Sequence, residues 1–154
     1  MLSPIQLRKQ VLLRFQIEAQ MLSISELGHD YDLCTQISAP VHSEADDSWV
    51  IGLRMQFGPA ENADKPTPYR GECEMHGYFS LQPGAPEEKR QDFLQMHGGA
   101  ILYGMMREWV AQATSRSLHD TYYLPTMDAR SFIPVHAARS VSYTHLRAHE
   151  TEAD

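Results

Sequence analysis

The sequence predicts an α+β domain, a four-stranded antiparallel sheet followed by two helices packed on one of its faces. Two observations carry that expectation. Apolar residues alternate with polar ones through the first half of the chain, and after Gln82-Pro83-Gly84 the apolar period lengthens to that of a helix. In the first strand Leu13, Phe15, Ile17 and Ala19 alternate with Arg14, Gln16 and Glu18. A weaker run, Leu33, Thr35 and Ile37, follows a polar turn over Gly28 to Asp32. The clearest strand sets Trp49, Ile51, Leu53, Met55 and Phe57 against Gly52, Arg54 and Gln56. The fourth sets Tyr69, Cys73, Met75, Phe79 and Leu81 against Arg70, Glu72, Glu74 and His76. Gly58 to Pro68, rich in Pro, Asp and Asn, reads as a hairpin loop between the last two.

Pro86-Glu87-Glu88 suits a helix start, where the fixed φ of Pro and the positive end of the helix dipole favour these residues. A short helix to about Gln95 is expected, with Gly98-Gly99 as its interruption. A second helix follows from about Ala100 to Arg116. Its stripe of Ile101, Met105, Trp109 and Ala113 is widened by Leu102, Tyr103, Met106 and Val110 until the first turns are apolar nearly all round. Such a helix is buried from more than one side, by its own sheet and by another subunit.

Composition sets the outer bounds. A length of 154 residues, 42% hydrophobic and 21% charged, describes one globular domain with a core. Thirteen Lys and Arg against twenty Asp and Glu leave a net charge of −7, so no nucleic-acid partner is expected. Cys34 and Cys73 show no C-x-x-C spacing, which argues against a disulfide framework or zinc site and for a reducing cytoplasm. Met1 to Leu13 lacks the apolar core of a signal peptide, and Ala100 to Met106 is too short to span a bilayer. A cytoplasmic protein without membrane insertion is expected. Ser140 to Thr151 resembles the in-frame translation of a transposase sequencing adapter. Residues 1–139 are therefore assigned to the domain, and 140–154 are set apart as an adapter-derived, non-native tail.

Motifs that carry chemistry are sparse. His97-Gly98-Gly99 resembles the His-Gly-Gly of hotdog-fold thioesterases, in which backbone N–H groups at a helix start polarise a thioester carbonyl. An acyl-CoA thioesterase is the enzymatic alternative. The position where that family carries an Asp is Met106, and too little strand-forming sequence follows. No nucleophile elbow, P-loop or dinucleotide fingerprint occurs, and the histidines stand singly without metal-ligand spacing. Neither an enzyme nor a metal or other cofactor is expected. Met55, Met75, Met96, Met105 and Met106 suit either core filling or an adaptable apolar surface. Glu18, Glu72 and Glu74 project from the wet face of the sheet as an acidic patch relieved only by Arg14, Arg54 and Arg70. Arg107 and Glu108 are candidates for an ion pair within or between subunits.

Three blocks resemble the SecB family of export chaperones, in one of its divergent SecB-like branches. Arg14-Phe15-Gln16-Ile17-Glu18-Ala19 is similar to the family's first strand, and Gly71 to Ser80 to its fourth. Ala100-Ile101-Leu102-Tyr103-Gly104-Met105-Met106-Arg107-Glu108 is similar to its helix block, and Tyr123-Leu124-Pro125 to its Leu-Pro segment. The resemblance implies a dimer of dimers that holds unfolded, secretion-bound preproteins without ATP or cofactor and hands them to the SecA motor. It places Glu18 and Glu72, with Glu74 beside them, on a SecA-type docking face. Arg14 stands where the family carries a third acid, and Gly104 and Met105 replace its Pro and Tyr. These departures imply a phage-borne or toxin-antitoxin-linked chaperone as an alternative. Leu22, Ile24, Leu27, Tyr122, Tyr123 and Leu124, apolar residues in loop segments, are the candidates for a client groove. Ile101, Leu102, Met105, Met106 and Trp109 are the candidates for the oligomer interface.

Overall fold

A computed structural model describes residues 1–85, 87–133 and 140–145. The chain forms β1 (Ile5–Ala19), β2 (Asp30–Ile37), β3 (Val41–Ser43), β4 (Ser48–Pro59), β5 (Tyr69–Leu81), α1 (Arg90–Thr114) and β6 (Ser140–Thr144). Short 3₁₀ turns lie at Ile24–Glu26 and Ala129–Phe132. The sheet is antiparallel in the order β1-β5-β4-β2-β6, with β3 paired to β4. The α+β plan therefore holds, but with six strands and one long helix in place of four strands and two helices.

β1 is the longest strand, and its first half escaped the alternation pattern for a definite reason. The register with β5 shifts between Leu7 and Lys9 and again between Leu12 and Arg14. Each shift places two residues of β1 opposite one of β5, which resets the face that the following residues occupy. Leu13 sits in the second shift and is 50% exposed, so it does not belong with the inward set of Phe15, Ile17 and Ala19. On the other strands the period is regular. Tyr31, Leu33, Ile51, Leu53, Met55, Tyr69, Cys73, Met75 and Phe79 all lie buried on one face. Met55, Met75 and Met106 are core filling, fully enclosed.

α1 runs straight through Gly98-Gly99. Glycine costs about 1 kcal/mol relative to alanine in a helix interior, and here the close packing of the helix on its neighbours compensates. A Cβ added at Gly98 would stand 2.7 Å from Ile51 Cδ1, and one at Gly99 would stand 2.7 Å from Phe132 Cβ. The two glycines are the surface on which helix, sheet and the Ala129–Phe132 turn touch. The helix starts at Arg90 rather than at Pro86-Glu87-Glu88, and Pro86 lies outside the described residues. Among the described residues no helix is long and apolar enough to cross a membrane.

The path of the chain positions the candidate site. β1 lies at one edge of the sheet and β2 on the far side of β5 and β4, so residues 20–29 must cross the end of the sheet. That crossover is pinned to the β4–β5 loop: Gln20 N donates to Pro68 O at 2.9 Å, and Gly28 N to Pro66 O at 2.8 Å.

Candidate functional site

Beneath the crossover lies a cavity of about 330 Å³. Tyr31 at the start of β2, Tyr69 at the start of β5 and Tyr122 in the chain after α1 are buried side chains in its wall, with Leu27 beside them. Tyr122 stacks on Tyr31 at 4.5 Å between ring centroids and on Phe57 at 5.1 Å. Stacked and tilted aromatic pairs add about 0.5–1.5 kcal/mol beyond their buried area, so the cluster is a rigid surface. The rim is different. Leu22 (38%), Ile24 (59%) and Leu118 (56%) line the same cavity and are open to solvent.

Thr114, the last residue of α1, organises the far wall. Its hydroxyl donates to Val110 O at 2.8 Å and accepts from Tyr122 N at 2.9 Å, folding the chain back along the helix. The Tyr69 hydroxyl accepts from His119 N at 2.9 Å, and His119 Nε2 meets Gln20 O at 2.6 Å, joining that wall to the crossover. Tyr103 donates its hydroxyl to Pro125 O at 2.5 Å, and Arg107 Nε donates to Leu124 O at 3.1 Å. Burial pushes the phenol pKa of Tyr31, Tyr69 and Tyr103 upward, so all three stay neutral in the physiological range. The buried Tyr122 hydroxyl has no hydrogen-bond partner among the described residues. The cavity offers apolar surface interrupted by phenol and imidazole groups, Ser23 and Asp120.

The six expected groove residues divide. Leu22, Ile24, Leu27 and Tyr122 come together around the cavity. Leu124 is buried in the core, and Tyr123, 62% exposed, is not part of the lining. Tyr31, Tyr69, Leu118 and His119 belong to the site but were not singled out. The first two sit at strand starts, where an aromatic reads equally as an ordinary sheet residue, and no local pattern brings them to one end of the sheet. The five expected interface residues divide as well. Leu102 and Met106, on the buried side of α1, are fully enclosed in the chain's own core. Ile101, Met105 and Trp109 are only partly buried, and Trp109 packs edge-to-face on Phe15 near exposed Leu12.

The acidic face proves to be a charge-matched ladder. Glu72 accepts from Arg14 at 2.7 Å and Gln56 at 3.2 Å, with Arg54 at 3.6 Å, and Glu18 lies 3.1 Å from Arg70. Glu74 stands between Arg14 and Arg54 in the register. The Gln56 hydrogen bond first, then the two guanidinium groups, hold the Glu72 carboxyl below its ordinary range. Within the chain Arg107 and Glu108 turn to other partners: Arg107 donates to Leu124 O, and Glu108 accepts from Gln112 at 3.2 Å. His97-Gly98-Gly99 lies inside α1 rather than at a helix start, and His97 packs against Phe93 at 4.5 Å. The free N–H donors that thioester polarisation requires are therefore missing at that motif. Among the described residues no group of three His, Cys, Asp or Glu is placed to hold a metal ion.

No protein-family model and no curated protein matches the chain. Among solved structures the chain is similar to the Mycobacterium tuberculosis SecB-like chaperone Rv1957 in complex with a ChAD peptide from the Rv1956 HigA1 antitoxin. The identity is 20% and the TM-score 0.61, over 80% of this chain and 91% of that one. A Streptococcus agalactiae protein of unknown function is similar at 11% identity and a TM-score of 0.44, over 79% of this chain and 96% of that one. The likeness to Rv1957 shows that the chain has a SecB-like fold.

Proposed function

We propose that this chain is an ATP-independent, SecB-like holdase that binds unfolded or secretion-bound polypeptides in the cavity beneath the crossover. The observation that carries the reading is an aromatic-walled cavity whose rim residues Leu22, Ile24 and Leu118 are apolar and exposed. Apolar burial is non-directional, at roughly 25 cal/mol per Å² removed from water, so such a surface accepts many sequences. The peptide held by Rv1957 in a protein of the same fold supports a polypeptide ligand. An antitoxin is one member of that ligand class, and a toxin-antitoxin-linked role is the narrower form of the same reading.

Two finer parts belong to the proposal. Assembly into a dimer of dimers would use the half-open strip of Ile101, Met105 and Trp109 and multiply weak sites into avidity. Delivery to the SecA motor would use Glu18, Glu72 and Glu74, and a basic docking partner would have to displace Arg14, Arg54 and Arg70 from them. The test is aggregation of a chemically unfolded client with the protein at stoichiometric ratio. The intact chain is expected to slow it, and Ile24→Asp with Leu22→Asp, both at exposed positions, to lose most of that effect with little change in thermal stability. An intact chain that leaves aggregation unchanged overturns the reading.

A further inference from the structure

We infer that the outer edge of β2 is a strand-acceptor site, at which an extended client segment adds to the sheet and places an aromatic side chain on Tyr31. This rests on the holdase reading and adds a binding mode to it. β2 pairs with β4 in unbroken register from Tyr31↔Pro59 to Ile37↔Leu53, and its eight residues include no Pro, no Lys and no bulge. These are among the usual devices that protect a sheet edge, and the two charges β2 does carry, Asp30 and Asp32, each accept from a hydroxyl of the neighbouring strand. In an antiparallel sheet about half of its N–H and C=O groups face β4, leaving the other half for a further neighbour.

That neighbour is Ser140–Thr144, paired antiparallel from Asp30↔Thr144 to Cys34↔Ser140. Tyr143 stacks on Tyr31 at 5.5 Å with the rings 13° apart, and His145 N donates to His29 O at 2.8 Å. On the opposite face the Ser142 hydroxyl donates to Asp32, and Thr144 to Asp30 at 3.0 Å. Residues 140–154 carry the resemblance to a translated adapter, and on that reading nothing in 140–144 has been selected to fit β2. Main-chain pairing, one aromatic and two hydroxyls then suffice for capture, which is the tolerance a holdase needs. The added strand also continues into the cavity, since His145 lines it beside Tyr31 and Tyr122. The occupant is thus an extended polypeptide strand, with the chain's own 140–144 standing in for the client.

The experiment uses the full-length chain and its Val141→Pro variant. Val141 pairs with Leu33, and the His145 N to His29 O bond fixes the alternation so that the main-chain N–H of residue 141 faces β2; proline removes that donor from the ladder. Hydrogen exchange is followed at the β2 amides that face the edge. The probe is a blocked Ser-Val-Ser-Tyr-Thr-His peptide, with a main-chain N-methylated form and a Tyr-to-Ala form as controls. Val141→Pro is expected to speed exchange at those amides by about tenfold or more. The blocked peptide should restore protection, the N-methylated form should not, and loss of the Tyr should weaken binding by about tenfold. Exchange that Val141→Pro leaves unchanged, or peptide binding without restored protection, overturns strand addition. Protection in the intact chain that rises with protein concentration assigns the edge to a second copy and overturns it too. Aggregation suppression measured on the same samples separates the two readings. Suppression without edge protection by peptide leaves the holdase and removes the strand site, whereas edge protection without suppression does the reverse.

Discussion

The core face of the sheet is covered in two ways, and the two covers behave differently. Across its middle lies α1, where Leu102, Met106 and Val110 are wholly excluded from water and glycines 98 and 99 let the helix settle onto Ile51 and Phe132. At the end spanned by residues 20–29 the cover is irregular chain held by a few hydrogen bonds, and a cavity of about 330 Å³ remains under it. The strands beneath carry the same alternation in both places. What differs is the cover: a regular helix presents closely spaced side chains that fill the gap, while a loop spends its contacts on satisfying its own backbone. The sealed half supplies stability, and the loosely roofed end is where we propose that a polypeptide binds.

The largest expected effect lies under the helix. Leu102→Ala should cost about 2–5 kcal/mol, read as a fall in denaturation midpoint, whereas Leu118→Ala at the rim should change stability little and client binding more. Comparable stability losses at both positions would dissolve the distinction. A smaller loss is expected from Gly99→Ala. Alanine is the better helix former by about 1 kcal/mol, yet its methyl would press on Phe132 Cβ and Cγ, both 2.7 Å from the added Cβ, so the net change should be destabilising by about 1–3 kcal/mol. A rise in midpoint would mean that α1 and the Ala129–Phe132 turn separate easily. The smallest effect belongs to the outer face. Because the folded pKa of Glu72 is depressed, its contribution is fully present above the unfolded carboxylate pKa and disappears as pH falls through the lower folded value. Glu18→Lys with Glu72→Lys should shift the neutral-pH midpoint less than either core substitution and flatten its decline on the acid side. The same double variant should lose SecA binding while retaining aggregation suppression; unchanged SecA binding excludes the docking face.

Much of the sheet was legible because β4 and β5 obey an unbroken period of two, and the burial of Ile51, Leu53, Met55, Cys73, Met75 and Phe79 follows it. The first half of β1 was not, because its two register shifts reset the faces that the period relies on. Gly98-Gly99 misled in the other direction: helix propensity counts the cost of missing side chains but not the contacts that their absence permits. At the site Leu22, Ile24, Leu27 and Tyr122 were legible as apolar residues in loop segments, a combination that local structure alone does not require. Tyr31 and Tyr69 were not, since each fits its strand without any further role.

By itself the sequence determined the class of fold, the core set of the central strands and the presence of apolar residues in the crossover. All of these are recorded in local periodicity and composition. Only the tertiary structure decided that α1 is continuous, that Glu72 is held by Arg14 and Arg54 and Glu18 by Arg70, and that Tyr31, Tyr69 and Tyr122 meet at one end of the sheet. These depend on contacts between residues far apart in the chain, whose energies are set by distance and exclusion of water rather than by neighbouring residues. The tail is the sharpest instance: Ser140–Thr144 reads as foreign to the domain, and only the tertiary structure places it as a strand beside β2.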